Sequence, residues 1–338
     1  MHGPTRGARV LRDSYHPLMT AAILEDLPTY GPQGCEACTP EQAEAYTRRL
    51  TASHYENFTV VSRLVPAELR RDFRNVYAFC RAADDLGDEA GHRERSLELL
   101  SWWREELEAC YAGEPRHPIF IALRRTVKEH DLPSRPFEDL ISAFEQDQRV
   151  TRYETWDGVL DYCKRSADPV GRLVLMLFGD RDAQRFELSD ATCTALQLVN
   201  FWQDVRRDVL ERDRVYLPRD IAEEAQLDID AMAEAIRRDA AAGGSSNELS
   251  TVRPPFVKAM GTLMDRTWKL FEKGHALPPT LETPRLRATV RLFSRGGEAV
   301  MKKIEAQGLD TLSRRPKLSN ADKLRLLATA SLGRLMRL

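Results

Sequence analysis

The chain contains no run of about 18 apolar residues, the length that a membrane-spanning helix requires. Its short apolar stretch from Pro17 to Leu24 lacks the flanks of a secretory signal. Neither export nor membrane integration is therefore expected, and the cytoplasm is the expected location. Cysteine is scarce, six in 338 residues. Four of them, Cys80, Cys110, Cys163 and Cys193, fall inside apolar helical patterns, where buried reduced thiols are the expected state. Cys35-Glu36-Ala37-Cys38 is a lone C-x-x-C with no second pair and no histidine at ligand spacing, which does not make a zinc or redox centre. A formal net charge of −2 gives no general attraction to nucleic acid, so none is expected as a partner. There is no internal repeat, no G-x-G-x-x-G, no P-loop, and no run that alternates convincingly with strand period.

What the chain does contain is helical periodicity. Residues 1–40 mix Gly, Pro, Arg and Tyr without a period and read as a flexible N-terminal arm. From Pro40 onward the apolar residues recur at helical spacing. Pro66 opens a long segment through Glu89. Further helices are predicted at about 93–112, 118–130, 136–148, 155–165, 169–178, 187–211, 228–242, 252–275, 284–307 and 319–336. Val215-Tyr216-Leu217-Pro218 reads as the end of the 187–211 helix, and Gly243-Gly244-Ser245-Ser246-Asn247 as a linker. The fold class that follows is all-α, with residues 41–338 forming one helical domain around a central cavity.

The chemistry concentrates in two stretches. In Gln197-Leu198-Val199-Asn200-Phe201-Trp202-Gln203-Asp204-Val205-Arg206-Arg207-Asp208, helical spacing puts Asn200, Asp204 and Asp208 on one face, neighbouring side chains roughly 6 Å apart. Gln197 lies just upstream. Hard oxygen ligands in a row suit Mg²⁺, which takes one or two carboxylates and keeps other positions for water and phosphate oxygens. Taken alone, the stretch reads equally as an amphipathic helix showing acids to water. The second stretch, Arg81-Ala82-Ala83-Asp84-Asp85-Leu86-Gly87-Asp88-Glu89, repeats the i, i+4 pattern with Asp84 and Asp88. Like charges at that spacing weaken an isolated helix. A cation held between the two helices accounts for both clusters. A diphosphate bridged to them by Mg²⁺ would leave as pyrophosphate and expose a carbocation to apolar walls.

These residues resemble the squalene/phytoene synthase family. Tyr77-Ala78-Phe79-Cys80-Arg81 followed by Asp84-Asp85-Leu86-Gly87-Asp88, and later Asn200-Phe201-Trp202-Gln203-Asp204 with Asp208, carry the resemblance, which runs from about Ser53 to Lys323. Finer features are similar to its bacterial hydroxysqualene synthase branch, of hopanoid biosynthesis: His54-Tyr55-Glu56-Asn57-Phe58, Ser166-Ala167-Asp168-Pro169-Val170-Gly171-Arg172, and the Phe-Trp-Gln-Asp run. The resemblance implies an isoprenoid-synthase-type bundle that ionises an isoprenoid diphosphate, here presqualene diphosphate, with several Mg²⁺ ions. The implied metal residues are Asp84, Asp88, Asn200, Asp204 and Asp208. Arg81 would bind diphosphate oxygens, an ion pair with Asp84 or Asp85 being the structural alternative. Tyr77 would line the pocket one turn earlier. Tyr216 would donate a hydrogen bond or else fill the core. Arg314, Arg315 and Lys323 match a basic motif that adds positive charge to the diphosphate, and spacing does not decide which arginine points inward. Phe58, Phe144, Tyr162, Phe201 and Trp202 are candidate walls for a cation, and His54 is a further candidate for binding substrate.

Gln203 stands where condensing members of the family tend to have Arg, Glu56 and Asn57 replace hydroxyl residues, and Asp168 and Arg172 add charge to a small-residue helix. These departures argue against head-to-head condensation of two prenyl diphosphates and leave the ionising residues in place. Polar side chains in an apolar chamber favour an ordered water, hence capture of the cation by water, with no NADPH expected. A condensing enzyme making presqualene diphosphate, squalene or phytoene is the alternative. A non-catalytic scaffold derived from the family would show degraded aspartate motifs, and both are intact. Expected partners are the substrate, a peripheral contact of the basic C-terminal helix with the inner face of the membrane, and handover with neighbouring squalene-pathway enzymes.

Overall fold

The computed structural model describes residues 22–34, 36–53, 65–244, 247–322 and 325–326. Two one-turn helices, α1 (Ala22–Glu25) and α2 (Leu27–Tyr30), precede α3 (Pro40–Ser53). A 3₁₀ turn at Ala67–Leu69 leads into α4 (Arg70–Asp88), and α5 (Arg93–Ala112), α6 (Pro118–His130) and α7 (Arg135–Asp147) follow. Next come β1 (Arg152–Tyr153), α8 (Trp156–Ser166), α9 (Asp168–Leu177) and α10 (Ala183–Arg212). The remainder is β2 (Val215–Pro218), α11 (Arg219–Glu224), α12 (Ile229–Ala241), α13 (Arg253–Gly274), α14 (Leu277–Thr280) and α15 (Pro284–Ala306).

The helix boundaries follow local chemistry. The His92 and Thr155 side chains accept from backbone N–H groups at the starts of α5 and α8, and Asp182 does the same for α10. Gly113 ends α5 at φ 102°, a backbone conformation that only glycine adopts without strain. Two cores result. One surrounds α4 to α7, with Phe79, Trp103, Phe120 and Phe137 wholly buried. The other lies between α8, α12, α13 and the second half of α10, around Trp202, Phe256, Met260 and Phe271. The 30-residue α10 belongs to this second core and packs on α8, α9, α12, α13 and α15. Its contact with α13 is close: a Cβ at Gly274 would lie 2.2 Å from Thr192 Oγ1, so only glycine fits there.

Two expectations need correction. Val215–Pro218 is a strand rather than a helix end, paired parallel with Arg152–Tyr153, and the Val215 N–H donates to the Thr151 carbonyl at 2.9 Å. All four of its residues are buried, and two to four residues are too few to show an alternation. The expected arm is docked from Ala22 onward. Ile23 is wholly buried, and Tyr30 sits edge-on to Tyr46 and His117 at 5.8 and 6.2 Å. One-turn helices are too short to display a period, which is why this stretch read as an arm. Among the described residues no helix is long and apolar enough to cross a membrane. Most of the expected C-terminal helix, with the expected membrane contact, lies outside the described residues, as do His54, Glu56, Asn57, Phe58 and Lys323.

Candidate active site

The last three turns of α4 carry Tyr77, Arg81, Asp84 and Asp88 at three- and four-residue spacing. Arg81 pairs with Asp84 at 3.3 Å and more closely with the fully buried Asp85. The ion pair offered as the structural alternative for Arg81 is thus present. Asp84 keeps 40 % of its side chain exposed, yet burial of the carboxyl group and then the Asp88 charge push it up to about 7, against the pull of Arg81. Tyr77 is half-buried one turn earlier, and burial raises its hydroxyl above the usual range.

On α10, Asp204 receives a two-pronged ion pair from Arg315, whose Nη2 donates to Oδ2 at 3.0 Å. Arg314 is exposed and shows no side-chain ion pair among the described residues, so Arg315 is the arginine that turns toward the acidic motif. Asp208, one turn on, is pushed up to about 7 by burial and then by the Asp204 charge. Gln197 is half-buried and Asn200 is exposed.

Arg212 and Arg214 join the two acidic stretches. Arg212 Nη2 lies 3.0 Å from Asp88 Oδ2, and Arg214 Nη1 lies 2.8 Å from Asp88 Oδ1. Arg212 also lowers the titration of both Asp84 and Asp208, so the two motifs share one field. Arg214 continues to Asp147, reaching its Oδ2 at 3.6 Å and donating Nε–H to its carbonyl at 3.2 Å. Asp147 in turn accepts the hydroxyls of Tyr162 at 2.6 Å and Tyr216 at 3.1 Å. The Tyr216 ring lies parallel on Phe201, centroids 3.8 Å apart and planes 5° apart. Trp202 is wholly buried and donates its indole N–H to Thr267 Oγ1 at 2.9 Å, a core placement rather than a wall.

Arg212 and Asp147 escaped the sequence reading. Arg212 stands at i+4 from Asp208, a spacing that pointed to it, whereas nothing in the sequence connects Asp147 with residues more than sixty positions away.

The polar departures in the reach of the structure are already satisfied by protein groups. The Gln203 amide donates to the Pro316 carbonyl at 2.6 Å and tethers the C-terminal segment to α10. The Thr194 hydroxyl donates to Asp168 at 2.8 Å. Neither residue therefore needs an ordered water as its partner, which removes both from the argument for water capture. Asp168 is 4 % exposed, and burial followed by the Asp190 charge pushes it up to about 7 from an ordinary 3.8. A raised carboxyl binds its proton more tightly in the folded state, so Asp168 lowers stability as pH rises from about 4 to about 7. Asp168→Asn keeps the acceptor for Thr194 and removes that penalty. The variant is expected to be about 1–2 kcal/mol more stable than the parent at pH 8 and level with it at pH 4.5. Urea unfolding of both proteins across this range, in chelator, tests it; a difference independent of pH would refute it.

A cleft of about 950 Å³ adjoins the second motif, lined among others by Arg206, Arg207, Lys303, Arg314, Arg315 and Lys317. A smaller one of about 190 Å³ lies beside Asp88, Asp147, Arg212 and Arg214. A third group with metal-ligand character, Asp72, Glu129 and His130, lies at the opposite end of α4. Its carboxylates are engaged by Arg71, Arg125 and Thr126, and no sequence motif pointed to it.

The squalene/phytoene synthase sequence profile matches residues 51–322, which include both acidic motifs. The chain belongs to the squalene/phytoene synthase family. Among sequence relatives, the hydroxysqualene synthase of Zymomonas mobilis subsp. mobilis is 32 % identical over 287 residues, 83 % of this chain and 88 % of that one. A phytoene synthase of Cereibacter sphaeroides is 30 % identical over 276 residues, 79 % of this chain and 73 % of that one. The crystal structure of squalene synthase HpnC from Alicyclobacillus acidocaldarius is similar at a TM-score of 0.70 and 41 % identity, covering 80 % of this chain and 95 % of that one. A dehydrosqualene synthase in complex with ligand has a TM-score of 0.71 at 20 % identity, covering 87 % and 97 % of the two chains, a likeness of fold. The protein is accordingly an isoprenoid synthase with the all-α fold of this family, whose members are generally dependent on a divalent metal.

Proposed function

We propose that the enzyme ionises presqualene diphosphate with Mg²⁺, rearranges the resulting cation and lets water capture it as hydroxysqualene. The observation that carries the ionising step is the facing pair of acidic turns around Arg212. Each turn keeps one carboxyl group, Asp84 or Asp208, pushed up to about 7 by burial and by a like-charged neighbour. Such groups ask for positive charge, and oxygen donors are what Mg²⁺ takes. The donor set therefore fits the ion: Asp84 and Asp208 would hold it, with Asp88, Asp204 and Asn200 completing the set. When bound, the metal neutralises charge that develops on the departing diphosphate. Arg81, Arg212 and Arg315 would bind diphosphate oxygens as forked donors, and Tyr77 would line the pocket beside them. The rings of Tyr162, Phe201 and Tyr216 would face the cation.

Support for the product comes from the relatives. Hydroxysqualene synthases of Zymomonas mobilis, Rhodopseudomonas palustris and Sinorhizobium fredii match 77–83 % of the chain at 32–33 % identity. A second reading, a condensing enzyme, is favoured by the 41 % identical crystal structure, that of a squalene synthase. One assay separates them. Purified protein with Mg²⁺ is given presqualene diphosphate or farnesyl diphosphate, each with and without NADPH, and the extracted lipid is identified. Hydroxysqualene from presqualene diphosphate, at the same rate with or without NADPH, is the expected result. Squalene formed only with NADPH, or turnover of farnesyl diphosphate alone, would replace the first reading by the second.

A further inference from the structure

The first acidic motif, through Arg214, and the aromatic cluster meet at a side chain to which the diphosphate reading gives no task. Asp147 is the last residue of α7 and its side chain is 6 % exposed. Oδ2 accepts from the Tyr162 hydroxyl at 2.6 Å and Oδ1 from the Tyr216 hydroxyl at 3.1 Å. Arg214 is shared: its Nη1 lies 2.8 Å from Asp88 and 3.6 Å from the Asp147 carboxylate, so Asp147 is only partly neutralised by it. Tyr216 is stacked on Phe201, and the Tyr162 ring flanks both at 5.7 and 6.0 Å. Phe201 precedes Asp204 by three residues and Asp208 by seven, hence lies on their face of α10, ~5–10 Å along the axis. A diphosphate held at those carboxylates would leave its departing carbon beside this cluster.

A bare carboxylate in contact with a carbocation would bond to it. Phenol rings interposed between the two separate charge from reactivity. A hydroxyl that donates to an anion enriches its own ring in electron density, and the ring face is what attracts a cation. Because the cluster is buried, solvent screens the charge little. We propose that Asp147 is the counter-ion of the carbocation, acting through the Tyr162 and Tyr216 hydroxyls and the Phe201 stack rather than by touching substrate. Burial holds Asp147 up to about 6, which leaves it ionised at pH 7.5.

The inference rests on the ionising step proposed above and not on the capture by water. Its test needs no turnover. Two ligands with the same prenyl skeleton are titrated calorimetrically in Mg²⁺ and inorganic diphosphate at pH 7.5. One carries a tertiary ammonium at the carbon that becomes cationic; the other carries a neutral carbon there. The parent enzyme is expected to prefer the ammonium ligand ~10-fold or more. Asp147→Asn should bind the neutral ligand as before and lose most of the preference. Tyr162→Phe combined with Tyr216→Phe keeps every ring and cuts the links to Asp147, so it should lose the preference too, and it stands in if Asp147→Asn does not fold. An unchanged preference in these variants overturns the proposal. Equal weakening of both ligands also overturns it, since that is the mark of a packing role. An enzyme that turned out to make squalene would still show the preference, so the two readings fail separately.

Discussion

Asp84→Asn or Asp204→Asn is expected to lower turnover by a factor on the order of 10³, several kcal/mol of lost charge stabilisation, without loss of fold. Asparagine matches aspartate in size but is a weak ligand for a hard cation, and each substitution removes one charge from a site built on four carboxylates. The fold is expected to tolerate both changes for different reasons. Asp84 is repelled by Asp88 and raised to about 7, so neutralising it relieves strain at pH 7.5. Asp204 loses its ion pair with Arg315, but that arginine is 38 % exposed and returns to water at small cost. Circular dichroism and melting should therefore match the parent within about 1 kcal/mol, while diphosphate release collapses. Chelator should silence the parent enzyme and added Mg²⁺ should restore it. Full activity in chelator, or a parent-like kcat in Asp84→Asn, would show that these carboxylates do not hold a metal.

The legibility of the sequence varied with the range of the interaction concerned. Helices such as α5 and α6 were readable to the residue because caps and apolar spacing are local: His92 and Gly113 flank α5, and His117 and Asp131 flank α6. The acidic motifs were readable because i, i+4 spacing is local as well. What was not readable depends on contacts across the fold. β1 and β2 are defined only by each other, more than sixty residues apart. Gln203 and Asp168 read as polar groups awaiting water, because Pro316 and Thr194 could be recognised as their partners only once the helices were in place. The choice of Arg315 over Arg314 was of the same kind. Adjacent residues on a turn point in different directions, and only the docking of that turn on α10 decides which one reaches Asp204.

The largest expected effect on stability is that of Arg214→Ala. Arg214 is 8 % exposed and serves two acids at once, Asp88 through Nη1 and Asp147 through both its carboxylate and its carbonyl. Removing one partner from a buried ion pair leaves an uncompensated charge, which costs about 3–5 kcal/mol. Asp88 still has Arg212 at 3.0 Å, so most of the loss falls on Asp147, which keeps the hydroxyl donors Tyr162 and Tyr216 among the described residues. The sign of the pH dependence follows. Arg214 is the largest influence pulling Asp147 down, and without it the folded state holds the Asp147 proton more tightly than the already raised value of about 6. The variant should therefore recover stability as pH falls from 8 toward 5, narrowing its deficit against the parent. Asp147→Asn placed on top of Arg214→Ala removes the stranded charge and should return a large part of the loss at pH 8, whereas two independent sites would add. Urea unfolding of the parent, both single variants and the double variant at pH 5 and pH 8 completes the cycle. Additive losses, or an Arg214→Ala deficit that does not change with pH, would mean that Arg214 is not the counter-charge that keeps Asp147 ionised in the interior.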